Sequence, residues 1–251
     1  MLPKEFIPGG LYDLIRLGKN NDGGYLVCKN SIEVSDYLIS FGISDDFSFE
    51  EDFKDKKNIP IFAYDPTTTN IFFLKKILIN ILKIKFKNLF KSIYNFVKFK
   101  VFFYNKSNFF FKNKIGKGCV ANSVCISIEE AIKKTNNAKS IFFKIDIEGS
   151  EYRILEDIIK YRDHLSAITI EFHDADLHQD KIIKFINNIN LTLVHIHANN
   201  YSEYNYDNIP TTLELSFSKS PKILNKNLSL PHPLDQKNDP AAADLEILFT
   251  K

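Results

Sequence analysis

Short apolar runs recur along the chain and are bounded by glycine, proline or polar residues. Such runs predict buried strands, whereas apolar residues at a spacing of three or four predict helices. Strands are predicted at 36–42, 59–66, 140–145, 167–172, 191–197 and 212–218, with 244–249 as a candidate last strand. Helices are predicted at 150–161 and 181–188, and Ser127 with Glu130 has the spacing of a capping box at the start of another helix.

The order of these elements indicates the fold class. Strands that alternate with helices are typical of a largely parallel sheet covered on both faces. We therefore predict an α/β fold, namely a Rossmann-like, doubly wound, mostly parallel sheet with helices on both faces. Consecutive strands near the carboxyl end, joined only by a loop, predict an antiparallel edge. Residues 1–251 are predicted to form a single domain that begins with a lead-in at 1–35.

The stretch from 67 to 118 interrupts this alternation. It contains no Asp or Glu, whereas lysines recur from Lys75 to Lys117. Apolar residues follow one another at helical spacing and lysines occupy other faces, so we predict a basic, amphipathic helical insertion at about 67–118. The apolar positions are Phe86, Leu89, Phe90, Ile93 and Val97. The insertion is either a face that binds the substrate or a membrane surface, or a solvated helix face in a lysine-rich protein.

Composition limits the class of protein. The chain has 251 residues, of which 44% are hydrophobic, so a buried core is expected. The formal net charge of +2 does not indicate a nucleic-acid partner. Three scattered cysteines, Cys28, Cys119 and Cys125, argue against a disulfide-stapled secreted protein and favour the cytoplasm. Peripheral contact with the inner face of the membrane is expected if the basic insertion binds there.

Candidate ligand-binding residues follow the predicted strands, because open α/β sheets bind ligands beyond the carboxyl ends of their strands. Gly42 follows the first strand and allows close approach of the backbone, with Ser44 and Asp45 in the polar loop after it. Asp65 ends the second strand, where a carboxylate can accept hydrogen bonds from both hydroxyls of a ribose. The alternative is that Asp65 is only a turn residue before Pro66.

Candidate acid–base groups follow the later strands. Asp146 ends the central strand and His173 follows the next one, and both are candidate general bases. His195 and His197 are further candidates on one side of a strand, and the alternative for each histidine is a buried side chain with a hydrogen-bond partner. Glu148 either binds the ligand or caps the following helix.

A metal site is also compatible with these strand ends. Asp146 and Asp174 end adjacent strands and could hold a hard cation such as Mg²⁺. Ligation by the histidines would instead suit a transition metal.

One segment resembles a known family. Residues 144–155, KIDIEGSEYRIL, resemble the central strand and following helix of the FkbM family of methyltransferases, which has Lys, Asp, Glu-Gly and Glu in this pattern. The elements at 22–25 and 43–53 are similar to those of a branch of this family that is found in bacterial capsule and surface-glycan gene sets.

The resemblance implies a methyltransferase that uses S-adenosylmethionine (SAM) to O-methylate a sugar or another glycan precursor, including a phosphorylated or phosphoramidate-bearing one. It implies a cofactor site at Gly42, Ser44, Asp45, Asp65, Asp146 and Glu148. The expected catalytic residues are Asp146, His173, His195 and His197. Two alternatives stay open, a metal-dependent hydrolase that uses the His/Asp cluster and a non-catalytic protein that docks on a membrane.

Overall fold

The computed structural model describes residues 1–104, 106–119 and 124–250. The strands in this part of the chain are β1 (Leu11–Tyr12), β2 (Leu14–Leu17), β3 (Tyr25–Cys28), β4 (Tyr37–Phe41), β5 (Ile61–Tyr64), β6 (Asn108–Phe111), β7 (Lys114–Ile115), β8 (Cys125–Ile126), β9 (Ile141–Ile145), β10 (Leu165–Phe172), β11 (Thr192–Ala198), β12 (Leu213–Ser218) and β13 (Ile223–Asn225). The helices are α1 (Lys29–Val34), α2 (Ser48–Lys56), α3 (Asn70–Leu82), α4 (Phe86–Phe103), α5 (Ile128–Lys133), α6 (Leu155–Lys160) and α7 (Gln179–Asn188).

The described residues form a central sheet of seven strands in the order β11-β12-β10-β9-β4-β5-β6. Neighbouring strands from β6 to β10 run parallel, whereas β12 is antiparallel to both β10 and β11. The chain moves outward from β4 to β6 and then returns to place β9 and β10 on the other side of β4. This order confirms the predicted Rossmann-like, doubly wound sheet and its antiparallel edge.

Helices cover both faces of the sheet because its central strands are buried on both sides. Every residue of β9 is buried. Phe143 packs into the large core that contains Ile158 of α6 and Phe185 of α7. Phe142 points to the opposite face and packs with Phe53 of α2. Since successive side chains of a strand alternate between faces, these two phenylalanines join β9 to both helical layers.

The capping box at Ser127 forms as the sequence predicts. The Ser127 side chain accepts a hydrogen bond from the Glu130 backbone N–H at 3.2 Å, and the Glu130 carboxylate accepts one from the Ser127 N–H at 3.0 Å. Helix α5 therefore begins with two of its otherwise unpaired donors satisfied.

The candidate last strand at 244–249 does not form in the described residues. The chain instead makes a single parallel bridge between Phe249 and Leu2. The lead-in at 1–35 forms the β2–β3 hairpin, and β3 lies against β12.

The predicted insertion at about 67–118 contains the helical hairpin of α3 and α4, but it also overlaps β6, the outermost parallel strand of the sheet. The short apolar run of Phe109–Phe111 is a strand signal that the lysine-rich composition concealed. The hairpin is attached through an aromatic cluster in which Phe73 and Phe99 pack with Phe47. Among the described helices, none is both long and apolar enough to span a bilayer.

The cysteines differ from the sequence-based expectation. A disulfide joins Cys119 to Cys125, with Cα atoms 5.4 Å apart, whereas Cys28 is a buried free thiol. The six-residue separation of the pair gave no CxxC signal, and the pairing of β8 with β7 places Cys125 beside Gly116, close to Cys119.

Candidate active site

A cleft lined by described residues opens at the carboxyl edge of the central sheet and has a volume of about 1220 Å³. It lies where the chain changes direction between β4 and β9, the point at which open α/β sheets bind ligands. All predicted cofactor-binding residues line this cleft: Gly42, Ser44, Asp45, Asp65, Asp146 and Glu148. The structure therefore brings these six together, although they are up to 106 positions apart in the sequence.

Gly42 packs directly against the central strand. Its φ angle is +78°, and a Cβ atom at this position would lie 1.6 Å from the backbone oxygen of Asp146. The Gly42 N–H donates to Tyr64, and the Asp146 N–H donates to Phe41, both at 2.9 Å. Only glycine combines this φ with so close an approach, so the chain can turn at the switch point without a side chain entering the contact.

Asp65 holds the loop that follows Gly42. One carboxylate oxygen accepts the N–H groups of Ile43 and Ser44 at 3.1 and 2.8 Å. The other accepts the Thr67 N–H and hydroxyl at 2.7 and 2.6 Å, and the Thr68 N–H at 3.1 Å. Burial raises the pKa of Asp65, but these hydrogen bonds outweigh it and leave the pKa below its usual value. A carboxylate has about four lone-pair sites, so this one is fully used within the chain.

The loop residues after Gly42 have different surroundings. Ser44 is exposed and adopts a left-handed backbone with φ +47°. Asp45 forms a 2.7 Å ion pair with Lys76 of α3. The ion pair joins the rim of the cleft to the first turns of the helical hairpin.

Asp146 belongs to a buried polar network behind the cleft. The Tyr25 hydroxyl lies 3.1 Å from Asp146 Oδ2 and 3.0 Å from Glu171 Oε2, so it can donate to either carboxylate. Lys144 donates to the carbonyl oxygen of Gly42 at 2.6 Å and lies 3.4 Å from Asp146 Oδ2. Burial lowers the pKa of Lys144, but the charges of Asp146, Glu50 and Glu171 outweigh it and raise the pKa. Lys144 thus offsets part of the negative charge of this network.

Glu171 is the most strongly perturbed carboxyl in the network. Burial raises its pKa, and the charges of Asp146 and Glu214 raise it further. Its other oxygen accepts a hydrogen bond from Asn199 at 2.8 Å. With its pKa raised, Glu171 binds a proton more readily than an exposed carboxyl does, although both of its oxygens accept hydrogen bonds here.

His173 lies among carboxylates that favour its protonated form. Its Nδ1 lies 3.2 Å from Glu151, and its Nε2 lies 3.5 Å from Glu148. Burial lowers the pKa of His173, but the hydrogen bond with Glu151 and the charges of Glu171 and Glu151 raise it above its usual value. Because a protonated imidazole cannot accept a proton, the raised pKa of His173 favours Asp146 over His173 as the candidate general base.

The group that could hold a metal differs from the predicted pair. Asp146, Glu148 and His173 each offer a ligand atom, and these atoms lie within 4.8 Å of one another. Asp174, predicted to join Asp146, is instead exposed at a left-handed turn with φ +49° and lies outside this group. The turn after β10 places His173, not Asp174, beside Asp146. Two carboxylates and an imidazole would suit a divalent cation.

His195 and His197 do not line the cleft. They lie on β11, which β12 separates from β10, so the inserted antiparallel strand moves them away from the switch point. His195 pairs with Asp235 at 2.8 Å, and His197 pairs with Glu214 at 3.2 Å. Burial lowers the pKa of His197, but Glu214 outweighs it and raises the pKa to about 9. The alternative interpretation of two buried, partnered histidines describes this arrangement.

Three residues of the site were not recognised as such from the sequence. Tyr25 bridges two carboxylates, Glu50 is buried near Lys144, and the Tyr152 hydroxyl donates to the backbone oxygen of His173 at 2.6 Å. Their contacts come from elements far apart in the chain. The local signal for Tyr25 was the resemblance of 22–25, which indicated no contact with the central strand.

Comparisons with known proteins give only distant likenesses. No protein-family model matches this chain, and no curated protein is similar in sequence. An rRNA methylase from Streptococcus thermophilus is 11% identical with a TM-score of 0.39, over 76% of this chain and 94% of that one. A precorrin-6y C5,15-methyltransferase from Geobacter metallireducens is 9% identical with a TM-score of 0.36, over 76% and 84%. These values are too low to carry an activity to this chain, and the fold assignment rests on the strand order and register.

Proposed function

We propose that the protein is a SAM-dependent methyltransferase and that the cleft between β4, β5 and β9 holds both the cofactor and the acceptor. The observation that carries this proposal is the position of the cleft at the switch point of the sheet, with the Gly42 loop on one side and Asp146 on the other. A volume of about 1220 Å³ exceeds the range of roughly 300–1,000 Å³ typical of small-molecule sites, so it leaves room for two molecules. The resemblance of 144–155 to FkbM methyltransferases supports the same function.

The cofactor would lie against the Gly42 loop. Because Asp65 already binds the backbone of Ile43 and Ser44, its first role is to hold this loop in shape. A ribose hydroxyl could bind Asp65 only by replacing one of these hydrogen bonds. The hydrogen bond from the Thr67 hydroxyl could be replaced without a change of the backbone. Direct ribose binding by Asp65 therefore stays a prediction.

Asp146 is the proposed general base. Bound SAM would supply a sulfonium methyl group for transfer to an acceptor oxygen, with the sulfur as the leaving group. The hydroxyl proton of the acceptor passes to the Asp146 carboxylate, which is one-quarter exposed and faces the cleft. The other contribution of the protein is to align acceptor and donor, because correct alignment supplies much of the rate in such displacements.

The proposed acceptor is a sugar or another capsule or surface-glycan precursor, including one that bears a phosphate or phosphoramidate group. The resemblance of 22–25 and 43–53 to a capsule-associated branch supports this class. Lys114 and Lys181 also line the cleft, and neither forms an ion pair with an acidic residue that the structure describes. Two such ammonium groups would attract an anionic acceptor. The proposed compartment is the cytoplasm.

A metal-dependent hydrolase is the second candidate, favoured by the group of Asp146, Glu148 and His173. Against it, the ammonium group of Lys144 lies 3.4 Å from Asp146 and repels a cation at that carboxylate. A bound divalent ion such as Mg²⁺ could also assist methyl transfer by polarising the acceptor hydroxyl.

Isothermal titration with SAM and with Mg²⁺ or Mn²⁺ separates the candidates. We expect heat with SAM alone, and we expect Asp146→Asn to retain SAM binding but to lose at least roughly a hundredfold in methyl transfer, the usual contribution of a general base. Glycan precursors incubated with methyl-labelled SAM and analysed by mass spectrometry would identify the acceptor. Binding of a metal ion but not of SAM would overturn the proposed function. Unchanged methyl transfer by Asp146→Asn would overturn the proposed role of Asp146 as the general base.

A further inference from the structure

The helical hairpin of α3 and α4 exposes an unusual amount of apolar surface. Its solvent-facing side chains follow two regular stripes, one on each helix, each at a spacing of three or four residues. They are Ile71, Leu74, Leu78 and Ile81 on α3 and Phe86, Phe90, Ile93, Val97 and Val101 on α4, with exposed fractions of 41–70%. Apolar side chains that recur in this way form one contiguous face of each helix, unlike the scattered apolar residues of ordinary protein surfaces.

The opposite side of the hairpin is the one that packs on the protein. Phe73 of α3 and Phe99 of α4 are buried against each other and against Phe47. On α4 the exposed stripe and the buried positions thus lie on different sides of the helix. The exposed stripes are therefore not part of the core that attaches the hairpin to the sheet.

The tip of the hairpin also exposes apolar side chains, and there they alternate with lysines. Leu82, Ile84 and Phe86 are 65–73% exposed and alternate with Lys83, Lys85 and Lys87. None of these three lysines pairs with an acidic side chain in the part of the chain that the structure describes. The whole stretch from 67 to 118 contains twelve lysines and no acidic residue.

The charge of this surface determines which occupant fits it. A second copy of the hairpin would bring lysines against lysines, and like charges that approach in this way oppose association. An anionic lipid bilayer fits both the exposed apolar side chains and the lysines. The apolar side chains would enter the boundary between headgroups and acyl chains, while the lysines would contact the anionic headgroups. We propose that the outward face and tip of the α3–α4 hairpin bind the surface of an anionic lipid membrane.

The hairpin would bring the cleft to the membrane. Helix α3 begins at Asn70, five residues after Asp65, and Lys76 pairs with Asp45 on the rim of the cleft. A docked hairpin would therefore place the opening of the cleft within about the length of α3, roughly 20 Å, of the lipid surface. The proposal does not depend on the chemistry of the cleft, so it can hold whether or not SAM binds.

Sedimentation with vesicles tests the proposal. We expect the full chain to bind vesicles of phosphatidylglycerol and phosphatidylcholine but not phosphatidylcholine alone, and to release as the salt concentration rises. Lys83→Gln, Lys85→Gln and Lys87→Gln should each weaken the partition coefficient about fivefold. The combined variant Leu82→Ser/Ile84→Ser/Phe86→Ser should abolish binding. Lys219→Gln/Lys222→Gln, which removes two lysines outside the hairpin, is the matched control and should bind normally.

A fluorescence measurement on folded protein covers the case in which the tip variants fail to fold. The chain contains no tryptophan, so Phe86→Trp introduces a single reporter at the tip. Lipids brominated on the acyl chains should quench this tryptophan, whereas Tyr206→Trp, at a fully exposed position after β11, should stay unquenched.

Three results would overturn the proposal. One is equal binding to neutral and anionic vesicles, and another is the absence of quenching at Phe86→Trp. The third is a dimer in solution that the tip substitutions dissociate, because it would assign the apolar face to a second copy of the chain.

Discussion

Gly42 is the residue at which the two halves of the sheet meet, and its backbone leaves no space for a side chain. We expect Gly42→Ala to lower the free energy of unfolding by about 2–4 kcal/mol, because a Cβ would lie 1.6 Å from the Asp146 oxygen at a φ of +78°. Gly149→Ala is the matched control. Gly149 has a similar φ of +87°, but a Cβ there meets no atom within 4 Å.

Gly149→Ala should lower the free energy of unfolding only by its backbone strain, about 1 kcal/mol. Urea unfolding of both variants measures the difference. Equal losses of stability would mean that the close approach of Gly42 to the central strand contributes nothing beyond its φ angle.

His197 should make stability depend on pH. Its folded-state pKa of about 9 lies above the usual 6.5, so its stabilising effect is complete below pH 6.5 and is lost as the pH rises through 9. The shift corresponds to about 3 kcal/mol. Urea unfolding at pH 6.5 and pH 9.5 should show this loss in the native chain, and the loss should shrink in His197→Gln. If the free energy of unfolding falls equally in both proteins between these pH values, the ion pair of His197 with Glu214 does not contribute to stability.

At the scale of single elements, the capping box of α5 allows a direct test of local energetics. We expect Ser127→Ala to lower the free energy of unfolding by about 1 kcal/mol, because the Glu130 N–H loses its acceptor. Ser150→Ala is a suitable control, since Ser150 precedes a short helix without capping it through its side chain. The control should change stability by less than about 0.5 kcal/mol, as measured by denaturant unfolding. A loss as large in the control as at Ser127 would contradict the capping role.

The elements also explain which features could be predicted from the sequence. Strands such as β9 and β10 are mostly apolar because they are buried on both faces, and the capping box is a local pattern of two residues. Strand β6 was not separated from the insertion because its three phenylalanines lie among lysines. The position of β12 between β10 and β11 is a property of pairing and has no local signature, so His195 and His197 were expected at the cleft and lie elsewhere.

The candidate site shows the same division between local and distant signals. Gly42, Asp65 and Asp146 were identified because each directly follows a strand, and residues at the carboxyl ends of parallel strands meet at one edge. Tyr25 could not be placed there, because it comes from a hairpin of the lead-in whose second strand, β3, lies against β12. The charge state of His173 depends on Glu151 and Glu171, which only the folded chain brings beside it.

At the scale of the whole molecule, ligand binding should stabilise the entire fold, because the cleft joins residues from both halves of the sheet. A ligand that binds only the folded state adds about 2.7 kcal/mol at a concentration of 100 times its Kd. For a chain of this length each kcal/mol raises Tm by about 2–4 °C, so SAM at that concentration should raise Tm by about 5–10 °C. Thermal unfolding followed by circular dichroism measures this shift.

Two controls make the thermal shift specific. Methionine at the same concentration lacks the adenosyl group and should leave Tm unchanged, whereas S-adenosylhomocysteine should reproduce most of the shift, because it lacks only the methyl group. If Mg²⁺ or Mn²⁺ raised Tm and SAM did not, Asp146, Glu148 and His173 would be assigned as metal ligands. This result would favour the hydrolase. Since Lys144 lies 3.4 Å from Asp146, such a metal should also bind more tightly to Lys144→Met than to the native chain. SAM should show no such gain, because Lys144 also donates to the Gly42 carbonyl and so supports the loop against which the cofactor would lie.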